Sequence, residues 1–468
     1  MRLAKKSILY FVSDIGLSLV GFLATLYFAR VLGAGILGQY FVVTAILGWL
    51  AIPTNGIASA INKRVSEGGD ASAVLSTGSA LNAAYGGVVV VAIIIASRYV
   101  NDYIGAEVSL FVAGLFLVNT FFLLTVEALK GQKKVARAGF LRTGERVVRS
   151  SVQIGLVYIG YSLLGLLVGH TAALVVSVLA GLVIYGYRPS MPDRETVDSL
   201  VSYGRYSWLG NLKNMTFSWM DTLILAFFVS SSLVGVYEVS WRLASILVLA
   251  SNAVEHTLFP EISDIASDEN HEEVRDLLSE ALFYAGIFVI PGFFGVLALG
   301  EKLLRIYGPE FVQGAPILLI LIAARSVNVY EMQMLNVING IDRPDVAFRI
   351  NLVFISVNVG LNVLLIWQFG WYGAAVATGL SSVVIAVLSY RAIDSLVGAP
   401  SLPVGGVTRQ IAAGTAMWGA VVGADRLLPI QNMYVTVALV LFGAAVYGLV
   451  LYGISGRIRR KVHSLAGL

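Results

Sequence analysis

Apolar segments long enough to cross a membrane constrain this chain more than any other feature of its sequence. A helix needs about 20 mainly apolar residues to cross a hydrocarbon core about 30 Å thick, because each residue rises about 1.5 Å. Only helices or closed barrels satisfy the backbone polar groups in that core. The segments predict an all-α integral membrane protein with 14 transmembrane helices: Ser7–Ala29, Leu37–Ile57, Ala73–Ala96, Val108–Val126, Val147–Leu167, Val168–Tyr187, Ser207–Val229, Leu233–Thr257, Ala281–Leu299, Ala315–Ile338, Asn351–Trp367, Gly373–Ile393, Val407–Ala424 and Met433–Ile454.

Composition supports this interpretation and excludes several functions. The chain is 57% apolar and only 13% charged, about half the charged fraction of soluble domains. It has no cysteine and only four scattered histidines, so neither a disulfide framework nor a metal cluster is expected. No Gly-x4-Gly-Lys-Ser/Thr loop is present, so no nucleotide-driven step is expected. We predict no cofactor and no nucleic-acid partner.

The distribution of basic residues predicts the orientation. If fourteen helices alternate in direction, 24 of the 32 lysines and arginines fall in one set of loops, which is the pattern of cytoplasmic loops. Five fall in the opposite set: Arg30, Arg98, Lys302, Arg305 and Arg426. The sequence therefore predicts a multi-pass protein of the cytoplasmic membrane with both termini in the cytoplasm.

Two polar linkers divide the predicted helices into three groups. The stretch from Arg188 to Tyr206 carries two prolines and several charges, and the linker Ala399–Gly406 is rich in proline and glycine. The boundaries predict one lobe over residues 1–190 with spans 1 to 6, and a second lobe over 191–396 with spans 7 to 12. Residues 397–468 then hold spans 13 and 14 and a basic cytoplasmic tail.

An internal repeat supports two equivalent six-helix lobes. An offset of 197 residues superposes the first two spans of each set and aligns an Ala-x8-Gly-x-Tyr pattern: Ala29, Gly38 and Tyr40 with Ala226, Gly235 and Tyr237. An even number of helices per set makes the repeats parallel. Paired helical bundles around a midplane site are typical of transporters that work by alternating access.

Six segments resemble the oligosaccharide flippases of the multidrug/oligosaccharidyl-lipid/polysaccharide exporter superfamily: Ala29–Tyr40, Asp221–Arg242, Leu258–Ser263, Tyr307–Pro316, Asn339–Pro344 and Asn358–Thr378. The resemblance implies two six-helix lobes with the last two spans packed outside them. It implies a transporter that moves a polyprenyl- or dolichyl-linked oligosaccharide, carried on a phosphate or diphosphate, from the cytoplasmic to the outer leaflet. The pathways implied are polysaccharide export and glycoprotein or cell-surface glycan assembly. Glycosyltransferases or a polymerase of such a pathway are candidate partners.

Ionisable groups inside spans are the candidate substrate-binding residues, because each costs at least about 2.5 kcal/mol at the bilayer centre. From the helical rise, Asp221 lies about 21 Å from the cytoplasmic end of its span, and Arg242 and Arg325 lie about 14 and 15 Å from the outer ends of theirs. These depths nearly coincide. Arginine binds phosphate oxygens with a planar fork and keeps its charge when buried. We therefore expect Arg242 and Arg325 to bind the substrate phosphates, with Asp221 holding one arginine.

The same residues admit a structural interpretation. Asp221 and Arg242 can form a permanent interhelical pair, and Glu238 can pair with Arg242 four residues later on the same helix face. Lys213 joins these residues as a further binding candidate. Asp14, about 12 Å from the inner end of the first span, can line the cavity, bind a coupling cation or neutralise Lys213.

Three other functions compete with flipping. A cation-coupled multidrug exporter of the same superfamily needs an apolar cavity with acidic residues, and the mid-membrane arginines argue against it. A membrane glycosyltransferase or polymerase using lipid-linked sugars needs carboxylates in sizeable outer loops, and the outer loops here are short. A passive channel is disfavoured by the duplicated lobes. We therefore expect a transporter and not an enzyme.

Overall fold

A computed structural model describes the backbone of residues 2–248, 251, 262, 265, 270–428 and 432–465. The side chains of residues 2–19, 205–211, 462, 464 and 465 are outside the described set. Most of the motif Leu258–Ser263 and the end of the predicted span Leu233–Thr257 also lie outside the described residues.

Helices form the regular structure of the described residues, and no β-strand occurs among them. A short 3-10 helix at Pro309–Gly314 precedes α11. In chain order the helices are α1 (Arg2–Leu50), α2 (Ile52–Ser66), α3 (Ala71–Ile95), α4 (Ser97–Ile104), α5 (Ser109–Gly131), α6 (Val135–Tyr158), α7 (Leu163–Tyr185), α8 (Arg194–Phe228), α9 (Ser231–Ile246), α10 (His271–Arg305), α11 (Ala315–Gly340), α12 (Pro344–Phe369), α13 (Trp371–Val397), α14 (Val404–Leu427), α15 (Met433–Ile454) and α16 (Gly456–Leu465).

Within the described residues, nine helices are long and apolar enough to cross a membrane. The predicted all-helical membrane fold is confirmed. Helices such as α8, which begins with a charged stretch, fall below the hydropathy of a simple span because they carry more polar residues. The total of fourteen spans stays a prediction.

Glycine determines where the first predicted span ends. Gly33 interrupts α1 with φ 79° and ψ 172°, a conformation that a side chain would strain. The break lies between the predicted spans Ser7–Ala29 and Leu37–Ile57. After a turn at Ala51, α2 continues to Ser66, with Pro53 in its first turn, where a missing N–H costs nothing.

The predicted fifth span, Val147–Leu167, is wrong. The structure ends α6 at Tyr158, makes a turn, and begins α7 at Leu163. The turn passes through Gly160 at φ 98°. The turn carries no charged residue and only one small polar residue, Ser162, so hydropathy alone merged the end of one helix with the start of the next. The helix instead begins twelve residues earlier than predicted, at Val135, in the basic segment.

The chain divides into two compact units, Met1–Gly235 and Val236–Leu468. In the first unit, α5 packs against α2, α3 and α7, while α6 packs on α7 and α8 on α2. Gly56 and Gly204 bring α2 and α8 into backbone contact. A buried hydrogen-bonded chain of polar side chains joins three helices: Thr54 donates to Asn82 at 2.9 Å, and Asn82 donates to Thr120 at 3.0 Å.

The two glycines of the internal repeat also meet in this unit. A Cβ on Gly38 would lie 2.7 Å from the carbonyl carbon of Ser231 and 2.9 Å from the nitrogen of Gly235. A Cβ on Gly235 would in turn lie 2.9 Å from the carbonyl carbon of Ala34. The repeated glycine is therefore required at both positions for one close backbone contact between α1 and α9.

In the second unit, α11 packs against α10 and α13, and α12 packs on α13. The last two long helices join this unit through α10, because α14 packs on α10 and α15 packs on α14. Their contact is a small apolar core: Leu299, Ala413, Met417, Val421, Leu439, Tyr447 and Leu451. The predicted lobe boundaries at residues 190 and 396 were drawn by counting spans, and they stay a prediction.

Candidate functional site

A buried guanidinium lies at the centre of the candidate site in the second unit. Arg325 lies on α11, about 15 Å from the start of the helix, and is only 7% exposed. Its Nη2 donates to Oγ of Ser245 at 2.7 Å, and its Cζ lies 4.0 Å from the ring centre of Trp241. Both partners are on α9. An arginine above an indole ring is a favourable cation–π arrangement, and it fixes the plane of the guanidinium.

A row of polar side chains continues from Arg325 along one face of α11. Nη1 of Arg325 donates to Oδ1 of Asn328 at 3.3 Å, and Nδ2 of Asn328 donates to Oε2 of Glu331 at 3.1 Å. Asn328 is 4% exposed and Glu331 is fully buried. The spacing of three residues places the three side chains on adjacent turns, so the helix presents a continuous polar stripe.

A second ion pair lies on α9. Glu238 is buried, with its side chain 3% exposed, and its Oε2 lies 3.8 Å from Nε of Arg242, whose side chain is 44% exposed. The predicted Glu238–Arg242 pair is therefore present. Trp241, the neighbour of Arg242, is the residue against which Arg325 stacks, so α9 connects the two arginines.

The remaining predicted residues lie in the first unit. Asp221 is buried on α8 at 6% exposure, and Lys213 is half-buried eight residues earlier on the same helix. Their predicted relation to Arg242, which belongs to the second unit, stays a prediction. The side chain of Asp14 lies outside the described residues.

The partners of Arg325 were missed in the sequence. Glu331 was visible as an ionisable residue inside the predicted span Ala315–Ile338, and the spacing of Arg325, Asn328 and Glu331 was a helical-face signal. No sequence signal pointed to Trp241 or Ser245, because their contact with Arg325 comes from the packing of α9 on α11. The described residues contain no group of three or more histidines and carboxylates that could hold a metal ion.

Comparison with known proteins identifies the family. The polysaccharide biosynthesis protein family matches residues 11–315, which is more than half of the chain. This chain belongs to that family. The probable flippase AglR of Haloferax volcanii is 34% identical over 99% of this chain and 98% of its own length. The probable low-salt glycan biosynthesis flippase Agl15 of the same organism is 31% identical over 85% of this chain and 84% of its own.

Solved structures agree on the fold. An inward-closed structure of the lipid II flippase MurJ matches with a TM-score of 0.80 at 11% identity, over 95% of this chain and 98% of that one. An inward-facing multidrug resistance MATE transporter matches with a TM-score of 0.66 at 15% identity, over 85% and 95%. This member of the polysaccharide biosynthesis family is therefore a multi-pass membrane transporter with the predicted superfamily fold, and it is not an enzyme.

Proposed function

We propose that this protein flips a lipid-linked oligosaccharide, carried on a polyprenyl or dolichyl phosphate or diphosphate, from the cytoplasmic to the outer leaflet by alternating access. The product would serve cell-surface glycan or glycoprotein assembly, with glycosyltransferases of that pathway as partners. The observation that carries the proposal is the guanidinium of Arg325, buried in mid-span and oriented by Trp241, Ser245 and Asn328. The relatedness to two probable flippases supports the same class of substrate.

The chemistry of the substrate matches this arrangement. A phosphate or diphosphate must leave the headgroup region and cross hydrocarbon, so a cation at mid-depth lowers the barrier to its passage. Arginine contacts phosphate through paired hydrogen bonds, and stacking on Trp241 holds its fork in one plane. In this proposal Arg325 and Arg242 bind phosphate oxygens. Glu238 sets the charge beside Arg242. Asp221 and Lys213 stay candidate substrate-binding residues of the first unit, and Asp14 stays a candidate cavity or coupling residue there.

Substituting Arg325 tests the proposal. Purified protein is reconstituted in liposomes with a fluorescent polyprenyl-diphosphate sugar, and exposure of inner-leaflet lipid is followed with a membrane-impermeant quencher. Loss of a charge-assisted hydrogen bond costs about 1.5–3 kcal/mol, so Arg325→Ala should slow flipping on the order of ten- to hundredfold. Arg325→Lys keeps the charge without the fork and should fall between Arg325→Ala and the unmodified protein.

Two controls make the result interpretable. Arg343 is an exposed arginine just before α12 that pairs with Asp345 in the first turn of that helix. Arg343→Ala should leave flipping unchanged. Thermal unfolding of each variant separates loss of binding from loss of fold. If Arg325→Ala flips lipid at the unmodified rate, the phosphate-binding role is wrong. If the protein moves no lipid but exports cationic dyes along a sodium or proton gradient, the exporter function replaces this one.

The predicted orientation has an independent test, because the chain has no cysteine to remove first. A single cysteine at Lys133, between α5 and α6, should react with impermeant maleimide only from the cytoplasmic side. One at Asp102, on α4, should react only from outside. The reverse labelling pattern would overturn the orientation with both termini in the cytoplasm.

A further inference from the structure

The first unit contains a buried histidine with a partner on each ring nitrogen. His170 lies on α7, about 10 Å from the start of the helix, and is 6% exposed. Its Nδ1 lies 3.1 Å from the hydroxyl oxygen of Tyr40 on α1. Its Nε2 lies 3.1 Å from Nη1 of Arg149 on α6. The ring is therefore held between two other helices of the unit.

Hydrogen-bond chemistry fixes the protonation state of this ring. A guanidinium has only donors, so Nε2 of His170 accepts from Arg149 and carries no proton. A neutral imidazole then holds its proton on Nδ1 and donates it to Tyr40. The Tyr40 oxygen also accepts from Nε2 of Gln153 at 3.1 Å, and the same amide donates to the Leu166 carbonyl at 2.7 Å. The network requires the neutral ring with its proton on Nδ1.

A carboxylate lies beside the same ring nitrogen. Glu145 is 5% exposed on α6, and its Oε1 lies 3.3 Å from Nε of Arg149 and 3.9 Å from Nε2 of His170. If the ring gains a proton, Nε2 becomes a donor that Arg149 cannot accept, and the two cations repel each other. Oε1 of Glu145 is then the neighbouring acceptor. Protonation therefore exchanges the partner of Nε2 from Arg149 to Glu145.

The surroundings contain few other groups that could take this proton. Helix α1 contributes Tyr40, and α6 contributes Glu145 and Arg149, with Arg146 near enough to act on the Glu145 carboxylate. Helix α5, which also packs on α7, has no titratable side chain between residues 109 and 126. His170 lies where α6 and α7 pack closely, because a Cβ on the neighbouring Gly169 would lie 3.0 Å from the backbone nitrogen of Gln153.

We propose that His170 is a proton-binding site that couples proton movement to the transport cycle, with Glu145 accepting from the protonated ring and Arg149 displaced from it. This inference rests on the proposed transport function, since proton binding at this site would couple flipping to a proton gradient across the membrane. The proton is bound and released without covalent chemistry. A ligand shifts a conformational equilibrium only if its affinity differs between the states, and the exchange of partners at Nε2 provides that difference.

Nitrogen NMR of ¹⁵N-histidine-labelled protein tests the site without requiring transport. The chain has only four histidines, so His170→Gln assigns the signal by its disappearance. At high pH the ring should carry its proton on Nδ1 alone, and it should convert to imidazolium as the sample is acidified over the range in which the protein stays folded. Glu145→Gln should leave a smaller protonated fraction at low pH, because the imidazolium loses its acceptor. A ring that stays neutral throughout, or that titrates identically in Glu145→Gln, would overturn the proposal.

The dependence of flipping on pH tests the coupling. Binding of one proton changes a rate by at most about tenfold per pH unit, and the unmodified protein should show part of that slope. His170→Gln keeps an acceptor for Arg149 but cannot be protonated. The flipping rate of this variant should therefore not depend on pH, while its thermal stability is retained. His463→Gln, a histidine on the exposed tail beside Tyr452, should keep the original slope.

The two proposals fail in different ways. If His170 titrates with exchange of partners but no lipid is moved, the proton site stands and the flippase function is wrong. If lipid is moved and His170→Gln keeps the original pH dependence, the flippase function stands and the coupling role of His170 is wrong.

Discussion

Substituting Gly38 with alanine should destabilise the first unit by an amount that the geometry constrains. The new Cβ would lie 2.7 Å from the carbonyl carbon of Ser231, whereas ordinary contacts begin at 3.4 Å. The carbonyl oxygen of Ser231 lies closer still, so the backbones of α1 and α9 must separate by more than the roughly 0.7 Å that the carbonyl carbon alone requires. The obstructing atoms are main-chain atoms, which cannot rotate away as a side chain can. Overpacking of this kind costs about 1–3 kcal/mol.

Alanine also favours a helix over glycine by about 1 kcal/mol, so the raw stability change mixes two effects. Gly87→Ala is the matched control, because Gly87 lies within α3 and its Cβ would meet nothing within 4 Å. Gly87→Ala should be neutral or stabilising. The difference between the two variants isolates the overpacking term of about 1–3 kcal/mol. Thermal and denaturant unfolding in one detergent measures it.

The double substitution sharpens the test. Gly235→Ala alone should be nearly as destabilising, since its Cβ would lie 2.9 Å from the carbonyl carbon of Ala34. Once one alanine has separated the helices, the second needs a smaller further movement, so the double variant should lose less than the sum of the single losses. If Gly38→Ala and Gly87→Ala are equally stable, the close contact between the repeated glycines does not exist.

Two further predictions concern stability. Asn82→Ala removes the amide that links Thr54 to Thr120, and interhelical hydrogen bonds in membranes contribute about 0.6–2 kcal/mol, so equilibrium unfolding should show a loss of that order per bond removed. Hydrogen bonds from Thr196 lower the pKa of Asp193, the N-cap of α8, below its ordinary value of 3.8. The stabilisation of α8 by the Asp193 carboxylate is therefore present above that ordinary value and is lost as the pH falls through the lower folded-state pKa. Unfolding of Asp193→Asn, followed as a function of pH, should lack this acid dependence. An acid profile identical to that of the unmodified protein would contradict the assignment.

The helices could be predicted because the bilayer sets their length and lipid sets their composition. The break at Gly33 was predictable in position, since polar and small residues separate the first two apolar runs there. The turn at Gly160 was not, because no charged residue lies between Tyr158 and Leu163, and the single small polar residue Ser162 barely interrupts the apolar run. Hydropathy reports whether a segment is apolar enough for lipid, and it carries no information about the backbone conformation at a single glycine.

The candidate site was predictable only as isolated charges. An arginine inside a span signals function from sequence alone, because its cost demands a partner or a cavity. The partner itself depends on which helix packs alongside, and Trp241 and Ser245 carry no charge that would single them out. No sequence signal pointed to the burial of His170. Its burial follows from the turn at Gly160, which moves the start of α7 and places the ring against α1 and α6.

Arg325 of the second unit and Arg149 of the first unit have different kinds of partner. In the second unit Arg325 is held by an aromatic ring, a hydroxyl and an amide, contacts that orient the cation while leaving its full charge in place. In the first unit Arg149 lies against the Glu145 carboxylate and also against a ring that can become charged. A fixed charge provides affinity for an anion but no dependence on pH. The guanidinium of Arg149 and the carboxylate of Glu145 both lie beside Nε2 of His170, so this nitrogen has two alternative partners, and the two arrangements differ by one proton. A shift of about 1.4 kcal/mol between those arrangements changes their populations tenfold, so even partial exchange at His170 is enough to bias a transport cycle.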